Sequence, residues 1–234
     1  MTSIDTMINR QLLRWELQRR QAEEEKKEQP QPAPIVTISR ETGSRGSYFG
    51  SRLAMKLGYQ RLHREIIDGI CESSGYRKRI IESLDNRFRS SLSMMVESFF
   101  TGQSVDHSDY HRHLYRVVLS LSHLGGVIVV GRGANFILGP DRGFHIRFVC
   151  DKEKRIENLM KYKDLPREEA LEDIESSDER RREFVKKLFH CDINDPHYYD
   201  LELNSTSIDV EELVDTAVTA IDGKMDKLRY YHED

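Results

Sequence analysis

The first segment of this sequence that could do chemistry is the stretch 39–47, which reads S-R-E-T-G-S-R-G-S and mixes glycines, hydroxyls and arginines. It follows a β-branched run and precedes a run with helical spacing. Backbone amides in such a loop, together with the N-terminus of the next helix, form a concave site suited to phosphate. An ordinary turn is the alternative, because most loops with two glycines are only turns; the argument for a phosphate site is the position of this loop after what is predicted to be the central strand. The predicted contacts are Arg40, Gly43, Ser44, Arg45, Gly46 and Ser47.

The elements that must position this loop alternate between strands and helices. The predicted strands are Ile35–Ser39, Val127–Val130, Phe144–Cys150 and Asp200–Asn204. The predicted helices include one from Phe49 to Leu57, Tyr110–Leu124, one that Asp151 caps and that runs to about Tyr162, and Val210–Ile221. Alternation of this kind predicts an α/β fold with a parallel sheet flanked by helices. The Val127–Val130 run is apolar on both faces, which is typical of an internal strand.

Three further segments complete the predicted organisation. Residues 1–34 combine an amphipathic helix, with Ile8, Leu12 and Trp15 at helical spacing, and a proline-rich linker. This helix either docks or dimerises, which would give a homo-oligomer, or it packs on its own domain. Residues 65–105 are predicted to form a helical cap, and residues 225–234 a C-terminal tail.

The motifs that identify a family come at three ordered positions. They are Ile38–Glu41 with the Gly43–Gly46 loop, Leu53-Ala54 and Leu57–Tyr59; Gly131–Leu138; and Asp178-x-x-Arg181 with Lys186, Asp195-Pro196 and Tyr199–Leu201. Together they resemble the cytidylate kinase-like family of P-loop kinases over roughly Ile35–Ile221, within a domain predicted at residues 35–224. The resemblance implies a five-stranded parallel sheet, a phosphate loop, a helical substrate-binding segment and an arginine-bearing lid over residues 163–192.

The resemblance also implies roles for particular residues in an ATP-dependent reaction that uses Mg²⁺. The loop amides would hold the donor phosphates, and Arg132 would grip the acceptor phosphate through its planar guanidinium. Arg181 would close over the transferring group, with Asp178 orienting Arg181 or reaching the acceptor. Arg155 is a second candidate for substrate binding, the alternative being a solvated helix charge. His63 and Arg64 complete the predicted substrate contacts.

Several positions depart from the usual kinase pattern. Ser47 stands where a P-loop lysine belongs, and Val130 stands where related kinases place an acid. His63 replaces an aspartate. Arg40 or Arg45 would supply the missing positive charge, and Ser47 would contact the metal. Without such replacements, the chain would be a nucleotide-binding regulatory or scaffold protein with little turnover.

Composition excludes several other classes of protein. The 234 residues carry 36 Lys and Arg against 40 Asp and Glu, a net charge of -4, which argues against broad nucleic-acid binding. No run approaches the ~18 apolar residues of a membrane span, and the N-terminus lacks the order of a signal peptide. Three cysteines without CxxC spacing predict neither a disulfide framework nor a zinc site. We expect a reduced, cytoplasmic protein whose partners are nucleotides.

Overall fold

The computed structural model describes residues 4–24, 33–100 and 109–230. Five strands lie in this part of the chain: β1 (Val36–Arg40), β2 (Gln60–Leu62), β3 (Val127–Val130), β4 (Phe144–Val149) and β5 (Leu201–Asn204). The helices are α1 (Ile4–Glu24), α2 (Gly46–Leu57), α3 (Arg64–Glu72), α4 (Ser74–Glu82), α5 (Asn86–Phe100), α6 (Asp109–Leu124), α7 (Ala134–Leu138), α8 (Lys152–Lys163), α9 (Arg167–Phe189) and α10 (Val210–Tyr230), with a 3₁₀ turn at Pro196–Tyr198.

The chain divides into two compact units, each discontinuous in sequence. The first contains Met1–Ile35 and Leu62–Val127, and the second contains Val36–Arg61 and Ile128–Asp234. Most of the predicted proline-rich linker and the end of the predicted tail lie outside the described residues. No helix within the described ranges is both long and apolar enough to cross a lipid bilayer.

The first unit is helical and includes α1. Ile8, Leu12 and Trp15 are buried on one face of α1, and the indole Nε1–H of Trp15 donates to the carbonyl oxygen of Gly125 at 3.0 Å. The predicted apolar stripe therefore packs on its own unit, which is one of the two alternatives that the sequence left open. Leu13 and Leu17 lie outside this stripe and are exposed.

The second unit contains the predicted five-stranded parallel sheet. Its strand order is β2-β3-β1-β4-β5. Of the strand residues, only Leu62 at the end of β2 and Val127 at the start of β3 belong to the first unit. β1 is central, and Val36 pairs in parallel with Ile128 on one side and Phe144 on the other. Strand β2 was not predicted from the sequence, because the three residues of β2 include the polar Gln60 and Arg61 and give no strand periodicity.

The two faces of the sheet differ in polarity. One face packs apolar side chains such as Ile38 and Phe148 against Phe49 of α2 and Leu213 of α10. Because side chains alternate along a strand, the other face of β1 and β4 carries Thr37 and Ser39 opposite the register partners His145 and Arg147. In a parallel sheet, the C-terminal ends of all strands meet at one edge, where ligands bind in open α/β folds.

Helices α8 and α9 form a hairpin with a small apolar core of its own, made of Ile156, Leu159, Ala170 and Ile174. Asp151 caps α8 as predicted, since its carboxylate accepts the amide N–H of Glu153 at 2.9 Å. The predicted lid, residues 163–192, corresponds to the end of α8, all of α9 and the residues that follow. This hairpin brings one face of α9 to the loop between β1 and α2.

Candidate active site

The loop between β1 and α2 is closely packed at its two glycines. Gly43 has φ +79°, and a Cβ there would lie 2.6 Å from the carbonyl oxygen of Arg155. A Cβ on Gly46 would lie 2.6 Å from the Cβ of Arg40. Only glycine fits these two positions without a shift of the backbone, so the glycines let the loop approach α8 and the end of β1.

Hydrogen bonds fix the loop from within and from neighbouring elements. The buried hydroxyl of Ser44 donates to the carbonyl oxygen of Glu41 at 2.9 Å and accepts the amide N–H of Gly46 at 3.3 Å. Asn158 of α8 donates to the carbonyl oxygen of Gly43, and Ser205, after β5, donates to that of Ser44, both at 2.9 Å. Ser44 therefore shapes the loop through its side chain.

The N-terminus of α2 lies at the end of this loop, and its first amide, that of Gly46, donates to the hydroxyl of Ser44. Its cap residue, Arg45, has φ 64° and makes no capping hydrogen bond through its side chain. Ser47, in the first turn, is exposed. A helix N-terminus carries a partial positive charge and unpaired amides, so this end of α2 favours phosphate.

Asp178 joins α9 to the loop between β1 and α2. Its Oδ1 accepts the amide and the hydroxyl of Thr42, each at 2.9 Å, and the Nη1 of Arg181 at 2.7 Å. Its Oδ2 accepts the Nη1 of Arg155 at 2.6 Å. Of its two predicted roles, this geometry favours the orientation of Arg181, because the four bonds occupy the carboxylate.

Arg155 is buried, with 8% of its surface exposed. Besides Asp178, its Nη1 lies 3.5 Å from Oε2 of Glu41, and that oxygen accepts the amide N–H of Cys150 at 3.0 Å. The alternative of a solvated helix charge is therefore wrong.

Among the three consecutive arginines of α9, Arg181 faces the loop. Its Nη1 donates to the hydroxyl of Thr42 at 2.6 Å and to the carbonyl oxygen of Arg40 at 3.3 Å. Burial lowers the pKa of Arg181, while the neighbouring Asp178 carboxylate raises it, and the net direction is downward. Arg180 and Arg182 are exposed and bond to Ser177 and Glu179 of the same helix.

The segment after β3 holds Arg132 in an unusual backbone conformation. Gly131, Arg132 and Gly133 have φ 86°, 58° and 61°, so three successive residues lie in the left-handed region. For a residue other than glycine this costs roughly 1–2 kcal/mol. The guanidinium of Arg132 lies 5.7 Å from the ring centre of Phe184 on α9. A Cβ on Gly131 would lie 2.7 Å from Nη1 of Arg40, so Arg40 packs against this segment.

A known protein family matches the part of the chain that contains the loop and the arginines around it. The model of the cytidylate kinase-like family matches residues 35–207. The chain belongs to the cytidylate kinase-like family. The match begins at the residue before β1 and runs past β5, so it includes the loop, Arg132, Arg155, Asp178 and Arg181.

Individual relatives of this cytidylate kinase-like chain are distant. It is 32% identical over 176 residues to a uronate isomerase of Corynebacterium glutamicum. The aligned region covers 73% of this chain and 34% of that protein. The chain thus spans about a third of the length of that relative. It is 24% identical over 182 residues to a cytidylate kinase of Ignicoccus hospitalis, covering 78% of this chain and 95% of the other.

A solved structure shares the fold. An uncharacterized protein from Eubacterium ventriosum superposes with a TM-score of 0.65 at 19% sequence identity, over 81% of this chain and 98% of the other. The family prediction from the three motifs is confirmed, as is the predicted parallel sheet.

The position of Arg45 distinguishes it from the arginines around Asp178. Its guanidinium lies 4.8 Å from the ring centre of Tyr48 and 5.2 Å from that of Tyr162. Arg45 lines a cavity of about 290 Å³ together with Lys154 and Asn158 of α8 and residues 205–210. A second cavity, of about 600 Å³, shares residues 206–208 and is also lined by Glu41. Arg45 therefore faces a cavity beside the loop.

His63 and Arg64 belong to the first unit, at the start of α3. His63 Nδ1 and Glu65 Oε2 are 2.6 Å apart, and Arg64 Nε lies 3.6 Å from Oδ2 of Asp68. Their predicted contact with substrate stays a prediction.

The residues around the loop do not fit a resident Mg²⁺ ion. Val130, at the position of the usual acid, is a buried apolar residue. The carboxylates of Asp178 and Glu41 already bind arginines and backbone amides. Across residues 4–24, 33–100 and 109–230, no group of three or more His, Cys, Asp or Glu could hold a metal. The predicted contact of the Ser47 hydroxyl with Mg²⁺ stays a prediction.

Sequence reasoning missed two residues of this site, Thr42 and Glu41 as an ion-pair partner, and it also missed the buried Arg147 of β4. Thr42 and Glu41 lie inside the predicted loop, but their bonds run to α9, α8 and β4, which no spacing rule connects to the loop. Arg147 had a visible signal, since it is a charged residue within an otherwise buried strand.

Proposed function

We propose that the chain transfers the γ-phosphoryl group of ATP to a nucleoside monophosphate, CMP or dCMP, or to a related small acceptor. The observation that carries the proposal is the hub at Asp178. One carboxylate connects the loop between β1 and α2, α8 and α9, because it accepts hydrogen bonds from Thr42, Arg155 and Arg181. Membership of the cytidylate kinase-like family supports this reading.

The proposed mechanism relies on position and charge. In phosphoryl transfer the protein mainly aligns the reactants and neutralises charge on the phosphate oxygens. The loop and the N-terminus of α2 would hold the donor phosphates, and Arg132 would bind the acceptor phosphate. An oxygen of the acceptor would bond to the γ-phosphorus as the bond to the β-phosphate oxygen breaks, which releases ADP. Arg181 would stabilise the negative charge on the transferring group.

We place the base of the donor nucleotide in the cavity of about 290 Å³ beside the loop. It shares Arg45 with the loop, so a nucleotide whose phosphates lie at α2 would extend into it. Ile208, which lines the cavity, is a half-exposed apolar side chain suited to contact with a flat base.

Because the described residues form no resident Mg²⁺ site, we propose that Mg²⁺ enters bound to the phosphates of ATP, as part of the substrate. Ions of this type keep several waters and bind largely through substrate phosphates.

The test is ADP production from Mg-ATP with CMP, dCMP, UMP, AMP and GMP supplied one at a time. We expect transfer to a pyrimidine nucleotide and a loss of roughly 100-fold or more in Arg132→Ala, since a preorganised charge is removed. Arg142→Ala is the matched control, because Arg142 is an exposed arginine in a turn before β4. Full activity of Arg132→Ala would remove Arg132 from the site.

A second candidate is a nucleotide-binding regulatory protein without turnover. Ser47 at the lysine position and Val130 at the acid position favour it. Under this alternative, ATP binds in calorimetry while ADP never accumulates with any acceptor.

Self-association through the N-terminal helix remains a proposal. Since Ile8, Leu12 and Trp15 are buried in the first unit, an interface on this helix would have to use Leu13 and Leu17, which are 56% and 50% exposed.

A further inference from the structure

Arg147 is a buried arginine within β4, next to the proposed phosphate site. Its exposure is 4%. Its register partner on β1 is Ser39, two residues before the loop residue Glu41. Alternation along β4 places Arg147 on the face opposite the apolar core that Phe148 enters.

Only neutral groups bond to Arg147. Its Nη1 donates to the Oγ of Ser39 and its Nη2 to the Oδ1 of Asn194, both at 2.9 Å. Glu202, its register partner on β5, is exposed. Within the described part of the chain, neither Glu202 nor any other carboxylate forms an ion pair with Arg147. A buried charge without a counter-charge is costly, because the protein interior does not replace its hydration.

The neighbouring charges do not compensate Arg147. Arg155 and Arg181 already share Asp178, and Glu41 lies beside Arg155. The positive charge of Arg147 also acts on Arg181, since it contributes to lowering the pKa of that guanidinium. Asp173 also acts on Arg181, but its carboxylate lies 3.0 Å from Nζ of Lys163. The guanidinium groups of Arg147, Arg155 and Arg181 therefore have two carboxylates, Asp178 and Glu41, that are not already paired with a lysine, which leaves one positive charge in excess.

We infer that Arg147 balances the negative charge of the phosphate groups bound at the loop. The inference rests on the proposed function and deepens it, because it assigns a phosphate-binding charge to a residue outside the loop. A neutral side chain of similar length would meet a purely structural need at lower cost. A phosphate ligand supplies the counter-charge that the protein lacks, and Arg147 is already oriented by Ser39 and Asn194.

The experiment compares wild type with Arg147→Met and Arg147→Lys by thermal unfolding, first alone and then with inorganic triphosphate. Unliganded Arg147→Met should unfold at the same temperature as wild type or higher, because an uncompensated buried charge has been removed. Its affinity for triphosphate should fall on the order of 10- to 100-fold, the effect of losing an interaction with a charged group. Arg147→Lys keeps the charge and should recover part of this loss.

Arg142→Met is the control for a general loss of positive charge and should behave as wild type in both conditions. An unchanged response of Arg147→Met to triphosphate would overturn the inference and leave the proposed function standing. A marked loss of unliganded stability in Arg147→Met would overturn it too, since that is the behaviour of a structural residue. Absence of any wild-type response to triphosphate would overturn both. Loss of binding in Arg147→Met without ADP formation in the wild type would support the inference and contradict the kinase proposal.

Discussion

A single carboxylate, that of Asp178, counters two guanidinium groups and holds the loop between β1 and α2. The variant Asp178→Asn keeps the shape but leaves Arg155 and Arg181 without their shared counter-charge. Removal of one partner from a buried ion pair typically costs several kcal/mol. Because Arg181 is partly exposed, we expect a loss of about 2–4 kcal/mol in the free energy of unfolding, measured by urea denaturation.

The adjacent residue provides the control for this prediction. Glu179 pairs with Arg182 at the surface of the same helix, and both side chains are about half exposed. Exposed pairs contribute little, so Glu179→Gln should change stability by no more than about 0.5 kcal/mol. Equal losses of unfolding free energy in Asp178→Asn and Glu179→Gln would contradict the role assigned to Asp178.

At the scale of elements, His145 connects β4 to β1 and to the turn after α7. Its Nδ1 lies 2.8 Å from the hydroxyl of Thr37, and its Nε2 lies 2.8 Å from the carbonyl oxygen of Gly139. Since a carbonyl only accepts, Nε2 carries the proton, and Nδ1 of the neutral ring accepts from Thr37. Burial lowers the pKa of His145 below its ordinary value.

This direction predicts a loss of stability in acid. Below about pH 6.5, His145 binds a proton more readily in the unfolded chain than in the folded protein. The unfolding free energy therefore falls as the pH drops below about 6.5. His145→Gln should show a smaller fall between about pH 7.5 and pH 5.5, measured by urea denaturation at each pH. A wild-type slope in His145→Gln would contradict the prediction.

The elements were predictable from sequence where local pattern determines them. β3 is an uninterrupted apolar run, and Gly58 ends α2 in the left-handed conformation, as its position suggested. The contacts of the site were not predictable in the same way. Thr42 and Asp178 are 136 positions apart, and nothing local in either segment indicates that they meet. β2 was missed because tertiary pairing, rather than its own three residues, makes it a strand.

At the scale of the whole molecule, α1 is part of a unit whose other residues lie far along the chain. Trp15→Ala removes a side chain that is 7% exposed and its hydrogen bond to Gly125. We expect a loss of about 3–5 kcal/mol in the unfolding free energy, measured by urea denaturation.

Leu17→Ala, on the exposed side of the same helix, provides the control and should change stability by less than about 0.5 kcal/mol. Light scattering on both variants separates packing from association. A lower mass in Leu17→Ala alone would support an interface on the exposed side, whereas a Trp15→Ala variant as stable as wild type would contradict the role assigned to α1.

The distance in sequence between Trp15 and its partner also sets an order of events during synthesis. The two residues are 110 positions apart. At roughly 5–20 residues per second, the ribosome needs on the order of 5–20 seconds to make Gly125 after Trp15. During that interval α1 is a nascent amphipathic peptide, and the indole of Trp15 lacks the carbonyl group to which it donates in the folded protein. A chaperone that binds nascent chains should therefore be able to hold α1 until Gly125 has emerged from the ribosome.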